Sequence, residues 1–513
     1  MIEEDNQKIE VAEELTAQEN EVTEVTKEEP VMKIKPLTLD DVSNVDELYK
    51  EFQDGKNVQF PPWLIVEESD KKKFVTVSTQ ELFIHIGDNV DILIVKYGDS
   101  KDTVLFRYEN GCYRKWTESD CKAFIKSFIP RKIRKSSQWE EVFRELKTEY
   151  ANTEESELNA DEDIINFKNG ILNIKTEELL PHSPEYKSTI QIPCNYIPNA
   201  LLPKAEVTIK FLHDITERNA EDMYTLLEVA GLIVSNVKGS RTKKMLILKG
   251  PGNTGKSVWR EFIQAVVGME NCFTVDIKQL HSQFGLGGIV GKRLVGSGDM
   301  KFARLPEIDK LKELTGGDHI NVEAKYQNSY TTLFRGFLWF NCNELPAFSG
   351  DKGKHVYDRF LILSCDKPIE EEKRDPELLD KLLAEKDITV SVAVGFWRKA
   401  MERDYKFTES ERTKKNREDY AIRNDSLSLY VTECCKLGEG RTKVSDFKAK
   451  YNWWCRMNNY EPERPNDISR ILTEKFGVIK RKSGIDYYEL TIDENKDLGN
   501  SGDNFWKEIP KSE

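Results

Sequence analysis

The chain has 513 residues and a formal net charge of −14, and it is too long for a single hydrophobic core. No run approaches the roughly 18 apolar residues of a membrane span, and the first residues show no basic-then-apolar signal segment. Nine scattered cysteines form no C-x-x-C pair, which argues against a structural zinc site or a disulfide framework. We expect a multidomain protein of a reducing cytosol, with no membrane partner.

The negative charge is concentrated at the start of the chain. Residues 1–30 hold eleven acidic residues against two lysines, so this segment accounts for most of the excess. Because it has no aromatic residue and few large apolar ones, we predict a disordered acidic leader over residues 1–35. A solvated tail is the simplest interpretation; a protein-docking tail or a DNA mimic remains an alternative. The nearly balanced remainder is compatible with a local positive surface.

The region from 36 to 220 is predicted to mix strands and helices. The run TVLFRYENGCYRKW at 103–116 predicts a hairpin, and a helix is expected over 118–128. Residues 151–163 are polar and acidic and resemble a linker, after which INFKNGILNI at 165–174 predicts two strands joined by an Asn-Gly turn. Apolar spacing predicts helices over 206–236. Nothing in residues 31–100 indicates a function.

A phosphate-binding loop is the most informative motif. Residues 250–257 read GPGNTGKS and fit G-x-x-x-x-G-K-[ST], between a short apolar run (245–248) that predicts a strand and a helical pattern (258–267). Backbone N–H groups of such a loop and the helix N-terminus attract an anion. We therefore predict binding of ATP and Mg²⁺, with Lys256 on the β- and γ-phosphates and Ser257 on the metal. The predicted nucleotide-binding residues are Gly250, Pro251, Gly252, Asn253, Thr254, Gly255, Lys256 and Ser257.

Three later motifs can complete an ATPase site. Asp299 ends the apolar run KRLVGSGD and is the predicted carboxylate near Mg²⁺. Asn343 follows the strand-like run FLWFNC and is the predicted sensor of the γ-phosphate or of the attacking water. Arg359, in YDRF just before another apolar run, is the candidate arginine finger for a neighbouring subunit. A turn residue in the first two cases and a structural ion pair in the third are the competing interpretations.

Together these motifs resemble a superfamily 3 helicase of the poxvirus and phage/plasmid primase–helicase group. The resemblance rests on GPGNTGKS, LVGSGD, LKELTGGD, WFNCNELP and YDRF, and on the preceding INFKNGILNIKTEELLPHSPEYKSTIQIPCNYIPNA, and it spans roughly residues 100–510. It implies an AAA+ ATPase that assembles as a homo-oligomeric ring, usually a hexamer. Such a ring hydrolyses ATP between subunits and translocates 3′→5′ on single-stranded DNA in its channel.

Two details qualify the resemblance. The family's DNA-touching hairpin matches residues 319–328, where Lys325 corresponds to the basic hairpin residue. Family members commonly carry two acids at the end of the carboxylate strand, whereas Gly298 and Met300 flank Asp299 here. Asp299 must then act alone or share its role with another acid such as Glu307 or Asp309.

Residues 425–490 resemble the winged-helix domain that ends such proteins. Helices are predicted over 426–435, 443–457 and 465–476, and the run KRKSG at 480–484 is the predicted basic turn of the wing. This domain implies contact with an origin duplex, although a role in protein contacts alone remains open. The candidate DNA-binding residues are Arg470, Lys475, Lys480, Arg481 and Lys482.

The sequence thus predicts an α/β protein: an AAA+ core with an α+β N-terminal collar and a C-terminal winged helix. The predicted units are a leader (1–35), a collar (36–220), a motor (221–380), a helical lid and connector (381–424) and a winged helix (425–513). The expected function is a replicative DNA helicase and origin initiator of a mobile element, in a bacterial host cytoplasm, with a separate primase and polymerase. The alternative is an origin-binding scaffold that recruits host replication proteins.

Overall fold

The computed structural model describes residues 44–69, 72–97, 103–150, 153–282, 284–302, 304–305, 307–323, 329–348, 351–458 and 460–493. The predicted acidic leader therefore lies outside the described residues. Within those ranges, no helix combines the length and the apolar character that crossing a membrane requires.

The N-terminal unit is a small α+β structure. Its helices surround a four-stranded sheet of order β5-β4-β3-β6, and β1 and β2 form a separate hairpin. Its core includes Leu82, Ile94 and Phe128. Its elements are α1 (Val45–Gln53), β1 (Leu64–Ser69), β2 (Lys72–Val77), α2 (Thr79–Asn89), β3 (Ile92–Lys96), β4 (Thr103–Glu109), β5 (Cys112–Trp116), α3 (Glu118–Ser127), α4 (Ser136–Glu149) and β6 (Thr153–Glu154).

The predicted hairpin and the helix after it are present. β4 and β5 pair antiparallel with Glu109 opposite Cys112, and Asn110 and Gly111 turn the chain with positive φ. The α3 helix begins at its predicted start because the Thr117 hydroxyl accepts a hydrogen bond from the Asp120 N–H at 3.1 Å. Residues 153–157, in contrast, are not an extended linker: they form β6 and a short 3₁₀ turn.

The next segment connects the N-terminal unit to the central sheet. It contains β7 (Ile164–Phe167), β8 (Gly170–Asn173), β9 (Leu179–Leu180), α5 (Glu206–Ile215) and α6 (Ala220–Val234). The two strands around the Asn169-Gly170 turn pair as the sequence predicts. One buried cluster extends from Ile165 to Phe407, so a boundary at residue 220 falls inside a shared hydrophobic core.

The central element is a five-stranded parallel sheet of order β11-β12-β16-β10-β18. β16 and β18 are buried along their whole length and are mostly apolar, as expected for parallel strands covered on both faces. Two short two-stranded sheets, formed by β13 with β17 and by β14 with β15, accompany the five-stranded sheet. The elements are β10 (Met245–Lys249), α7 (Lys256–Val267), β11 (Cys272–Thr274), β12 (Leu294–Gly296), β13 (Arg304–Leu305), α8 (Asp309–Gly316), β14 (His319–Val322), β15 (Tyr330–Leu333), β16 (Phe337–Cys342), β17 (Ala347–Phe348), α9 (Lys354–Tyr357) and β18 (Phe360–Ser364).

Three helices follow the sheet: α10 (Leu378–Ala384), α11 (Lys386–Glu402) and α12 (Glu411–Asn424). The charged sequence of residues 405–424 predicts a connector, and helix α12 corrects this interpretation. Although α12 is strongly polar, Tyr420 is buried and its hydroxyl donates to the Pro346 carbonyl at 2.6 Å. Most of the charged residues of α12 remain on its outer side, which explains why its sequence shows little apolar periodicity.

The C-terminal unit has its own core of three helices and a three-stranded antiparallel sheet of order β19-β21-β20. It docks on the central unit through Lys352 and Glu463, a buried ion pair with side chains only 8% and 2% exposed. The elements are α13 (Ser426–Cys434), β19 (Cys435–Lys443), α14 (Val444–Met457), α15 (Ile468–Phe476), β20 (Lys480–Ser483) and β21 (Ile485–Ile492).

Candidate nucleotide and DNA sites

The glycine-rich loop joins β10 to α7, as the motif requires. Gly250 leaves the strand with φ of +156°, and a Cβ there would lie 2.0 Å from the Cys365 carbonyl oxygen. Only glycine therefore allows the loop to pass this close to the end of β18. Gly255, also with positive φ, opens α7. The free N–H groups of the first helical turn consequently point into the loop.

Lys256 is folded onto the loop itself. Its Nζ donates to the carbonyls of Gly250 at 2.8 Å and Pro251 at 2.6 Å, and to the Thr254 hydroxyl at 3.1 Å. The residue is 7% exposed. Burial lowers the pKa of its ammonium, whereas the nearby Cys365, Cys342, Asp299 and Asp366 raise it. The cation is therefore held at the site where phosphates are expected, and it is bonded to neutral loop oxygens that an anion can replace.

Asp299 and Asn343 lie at the same edge of the sheet as the loop. Lys249 pairs with Cys342 across β10 and β16, so Gly250 and Asn343 are the next residues along neighbouring strands. Met300 forms a bridge with Cys342, which places Asp299 beside the end of β16. Both Asp299 and Asn343 are exposed, as a ligand-binding role demands.

Asn341 is a residue of this site that sequence reasoning missed. Its side chain is buried and accepts from the Trp339 indole N–H at 2.7 Å. Its amide donates to the Lys256 carbonyl at 3.0 Å. Asn341 thus fixes the start of α7 against the end of β16, while Asn343, two residues later, faces solvent. A polar residue inside an apolar strand was the available signal.

A second acid near the loop also escaped prediction. Asp366 is exposed just beyond β18 and, like Asp299, acts electrostatically on Lys256. Glu307 and Asp309 have other contacts: the Glu307 carbonyl contacts the His281 ring at 3.1 Å, and Asp309 pairs with Lys312 at 3.1 Å. Asp366 is thus a further candidate partner for Asp299, beside Glu307 and Asp309. In the sequence, Asp366 can be recognised as a candidate from its position at the end of the apolar run FLILSC.

Gly298 leaves room for a larger side chain next to Asp299. Its Cβ position lies 3.4 Å from Cδ of Arg260, a residue of α7 that is only 2% exposed. The Arg260 guanidinium donates to the Trp339 carbonyl at 2.8 Å, but its second terminal nitrogen has no hydrogen-bond partner among the described residues. Burial lowers the pKa of Arg260 to about 10. A buried cation therefore stands behind the loop in which Asp299 lies.

Arg359 lies at the opposite edge of the sheet. It precedes β18, and its carbonyl accepts from the N–H of Met245 at the beginning of β10. Its guanidinium donates to the Thr315 hydroxyl at 2.8 Å and to the Lys312 carbonyl at 3.3 Å, both in α8. Burial lowers the pKa of this guanidinium, and its Nε finds no hydrogen-bond partner in the part of the chain that the structure describes. The length of β18 thus separates Arg359 from the phosphate-binding loop of its own chain.

The β14–β15 hairpin corresponds to the predicted DNA-touching hairpin. Its strands pair with His319 opposite Leu333. Lys325 itself lies outside the described residues. The base of the hairpin is held by the N-terminal unit: the Thr332 hydroxyl donates to the Glu155 carboxylate at 2.7 and 2.8 Å. Arg335 donates to the carbonyls of Ser156 and Leu158, each at 2.9 Å.

In the C-terminal unit, most of the predicted DNA-binding cations are in ion pairs. Arg470 pairs with Asp467 and Glu474, each at 3.2 Å, and Lys475 pairs with Asp425 at 2.8 Å. On β20, Lys480 pairs with Asp486 at 2.7 Å and Arg481 with Glu489 at 2.8 Å. Lys482 is exposed. The cations of α15 are thus neutralised locally, and the structure does not bring this set together with the nucleotide loop.

The residues at the loop suit Mg²⁺. Ser257 follows Lys256 in the first turn of α7 and is exposed, as is Asp299. A hydroxyl and one carboxylate, completed by phosphate oxygens and water, form the oxygen set that Mg²⁺ prefers. Within the described ranges, no cluster of three or more His, Cys, Asp or Glu residues could hold a metal by itself. A metal at this loop is therefore expected to bind together with the nucleotide.

Two protein-family models match the chain. Residues 248–359 match a family of unknown function, DUF5906, and residues 88–217 match a family described as D5 N terminal like. The first match begins at the end of β10 and ends at Arg359, so it includes the loop, Asp299 and Asn343. The second covers most of the N-terminal unit and continues through α5.

Solved structures of the NrS-1 C-terminal region are similar to this chain at low identity. An apo A form has a TM-score of 0.46 and 12% identity, covering 79% of this chain and 98% of that one. A second A form has a TM-score of 0.42 and 11% identity, with the same coverage. A further apo structure gives 0.41 and 12%, covering 82% and 99%. The D5 N terminal like match supports a relation of this chain to phage-type primase–helicases.

Proposed function

We propose that this protein is an ATP-dependent DNA helicase of the superfamily 3 type, with an AAA+ motor and a C-terminal winged helix. The observation that carries the proposal is the shared edge of the parallel sheet, where Lys256, Ser257, Asp299 and Asn343 meet. A phosphate-binding loop with a carboxylate and a polar residue beside it is the arrangement that nucleotide hydrolysis requires.

Each residue then has a distinct task. When ATP binds, Lys256 exchanges its hydrogen bonds to three loop oxygens for hydrogen bonds to phosphate oxygens. These new bonds are stronger because the acceptors are charged rather than neutral. Ser257 and Asp299 hold Mg²⁺, which neutralises charge developing on the phosphates. Asn343 orients the attacking water, and Asp299 or Asp366 accepts its proton. Asn341 is a positioning residue that aligns the start of α7.

Arg359 indicates that the site is completed by a second copy of the chain. The five residues of β18 separate it from its own loop, and a strand rises roughly 3.3 Å per residue. The guanidinium cannot cross about 16 Å along the sheet to its own loop, so we infer that it would act on the loop of an adjacent subunit. We therefore propose a ring, of six subunits by family resemblance, that moves 3′→5′ on single-stranded DNA. Binding of the chain to an origin duplex belongs to the same proposal.

A second candidate is an origin-binding scaffold that recruits host replication proteins. The specific observation in its favour is Gly298, since a site with one acid at this strand end can bind ATP and yet hydrolyse it slowly. Asp366 and the arrangement of Arg359 favour the motor.

Strand displacement tests the motor. Forked DNA with either a 3′ or a 5′ loading tail is incubated with ATP and Mg²⁺, and wild type is compared with Lys256→Ala. We expect unwinding by wild type from the 3′ tail and none by the variant. Origin binding without unwinding of either fork would reject the helicase and leave the scaffold.

Subunit mixing tests the shared site. Lys256→Ala and Arg359→Ala chains should each be inactive, but a mixture should recover some ATPase activity, because one interface then combines an intact loop with an intact arginine. Absence of recovery at every ratio, with mixed rings verified by mass spectrometry, would contradict a finger supplied in trans.

A further inference from the structure

The sheet of the C-terminal unit has one buried and one open face. Along β21, Tyr488, Leu490 and Ile492 are buried in the core of the unit. Because side chains alternate along a strand, Ile485, Tyr487, Glu489 and Thr491 belong to the opposite face. Ile485 is 56% exposed, which shows that nothing in the described chain covers that end of the face.

Cations from both neighbouring strands converge on Tyr487. In the strand register, Lys443 of β19 and Arg481 of β20 lie directly across from Tyr487, one on each side. All three are therefore on the same face, and both cations are exposed. We call this row, together with Arg441, the Tyr487 face.

Arg441 reaches the same ring from a bulge. The register of β19 shifts between Leu437 and Thr442, so residues 438–441 bulge out of the ladder. Gly438 and Gly440 have φ of +75° and +66°, conformations that glycine adopts without strain. The bulge places Cζ of Arg441 4.7 Å from the centroid of the Tyr487 ring. That distance is typical of a cation–π contact.

The charge of this face differs from that of α15. Arg470 and Lys475 on the helix are all paired with acids, as described above. In the described part of the chain, neither Arg441 nor Lys443 has a carboxylate within ion-pair distance, and Arg481 has only Glu489. The face therefore carries uncompensated positive charge beside an aromatic ring, although the chain as a whole is strongly acidic.

We propose that the Tyr487 face binds single-stranded DNA. Arg441 and Lys443, which have no ion-pair partner among the described residues, would bind successive phosphates, while an unpaired base stacks on the Tyr487 ring or on the guanidinium that covers it. Base–aromatic stacking beside a cationic track is the general means of gripping a single strand without reading its sequence. The inference rests on the proposed DNA-translocating function and specifies which surface of the C-terminal unit holds the strand.

This assignment differs from duplex recognition by a helix. A major-groove contact needs a helix whose donors are free to meet base edges, and the cations of α15 are occupied by Asp467, Glu474 and Asp425. An open sheet face with a ring and two cations, Arg441 and Lys443, that are unpaired in the described chain instead suits a flexible strand. Strong salt dependence follows, with the slope falling by roughly 0.7 for each phosphate contact removed.

The test measures equilibrium binding to the full-length chain without nucleotide. A labelled oligodeoxythymidine is titrated by fluorescence anisotropy, with a duplex of mixed sequence as the comparison, and every chain carries Lys325→Ala to remove the proposed hairpin contact. Tyr487→Ala and the pair Arg441→Ala/Lys443→Ala are expected to weaken single-strand binding by roughly 5- to 100-fold.

Matched controls identify the contact. Tyr487→Phe keeps the ring and should retain binding, and Arg470→Ala/Lys475→Ala should change it less than about twofold, since those cations are already paired. If Tyr487→Ala fails to fold, the surface pair Arg441/Lys443 decides the result. Unchanged binding in the Tyr487-face variants, greater loss in the helix variants, or preference for duplex would each overturn the proposal.

The same proteins separate this inference from the motor. ATPase activity without DNA should be the same in the Tyr487-face variants and their parent. If the parent binds single strands through this face but shows no ATPase activity, the proposed motor fails and the binding site stands. If the parent hydrolyses ATP and the Tyr487-face variants bind DNA normally, only the binding site fails.

Discussion

Replacing Asn341 by alanine should damage the fold at the nucleotide site, whereas the same change at Asn343 should damage only its chemistry. Asn341 joins the Trp339 indole to the Lys256 carbonyl with two buried hydrogen bonds. Each buried group left without a partner costs about 1–3 kcal/mol, and Trp339 is fully buried. Because the carbonyl has a second hydrogen-bonding site, we expect a total loss of about 2–4 kcal/mol.

Hydrogen–deuterium exchange can measure this loss locally, which matters in a multidomain chain. Peptides from β16 and from the start of α7 should exchange faster in Asn341→Ala, and binding of a fluorescent ATP analogue should weaken because the helix start is no longer held. Asn343→Ala should keep stability within about 0.5 kcal/mol, since the residue is exposed, and should still bind the analogue. It should nevertheless lose ATP hydrolysis.

Two outcomes would refute this division of roles. Equal protection of β16 in wild type and Asn341→Ala would show that the two hydrogen bonds contribute nothing. A loss of protection in Asn343→Ala as large as in Asn341→Ala would show that both residues are structural.

Three further changes test the phosphate-binding loop, the position next to Asp299, and the buried carboxyl of Glu228 in α6. Gly250→Ala should cost about 1–3 kcal/mol in a denaturant titration and abolish binding of the ATP analogue, because the new Cβ would meet the Cys365 carbonyl; Gly252→Ala, with open space around it, is the matched control and should do neither. Gly298→Asp fits at ordinary contact distance from Arg260 and should raise kcat for ATP hydrolysis on the order of tenfold by restoring a second acid; an unchanged kcat would show that Asp299 and Asp366 already suffice. Glu228→Gln should flatten the dependence of stability on pH. Burial raises the pKa of Glu228 in the folded protein above its ordinary 4.5. The protonated carboxyl therefore stabilises the folded wild type at pH below 4.5, and this stabilisation is lost as the pH rises through the raised pKa. Identical pH profiles of the unfolding midpoint in the two proteins would contradict this assignment.

The sequence predicts this molecule best where the determinants are local. The glycine loop between an apolar strand and a helix, the Asn-Gly turn at 169–170 and the capped start of α3 all depend on neighbouring residues, and all are found as predicted. The order of the motifs also placed Asp299 and Asn343 at one edge, because parallel strands share a direction.

What escaped prediction depends on distant contacts. Helix α12 reads as charged connector because its stability comes from Tyr420 and Asn424 packing against the β16–β18 region, not from its own periodicity. Asn341 and Asp366 come close to the phosphate-binding loop only because β16 and β18 flank β10 in the folded sheet. Helical spacing alone predicts that Arg470 pairs with Asp467 and Glu474. The pairing of Lys475 with Asp425, in contrast, depends on how α15 packs against the start of α13.

The core that extends from Ile165 to Phe407 limits how such proteins can recombine. A crossover anywhere inside it would join apolar surfaces that never packed together, and the hybrid would expose or misfit them. Exchange of whole modules is therefore confined to junctions before β7 or after α12. The second half of the D5 N terminal like segment must be inherited with the nucleotide loop, whereas its first half and the C-terminal unit can be exchanged for units that preserve the Glu155–Thr332 and Lys352–Glu463 contacts.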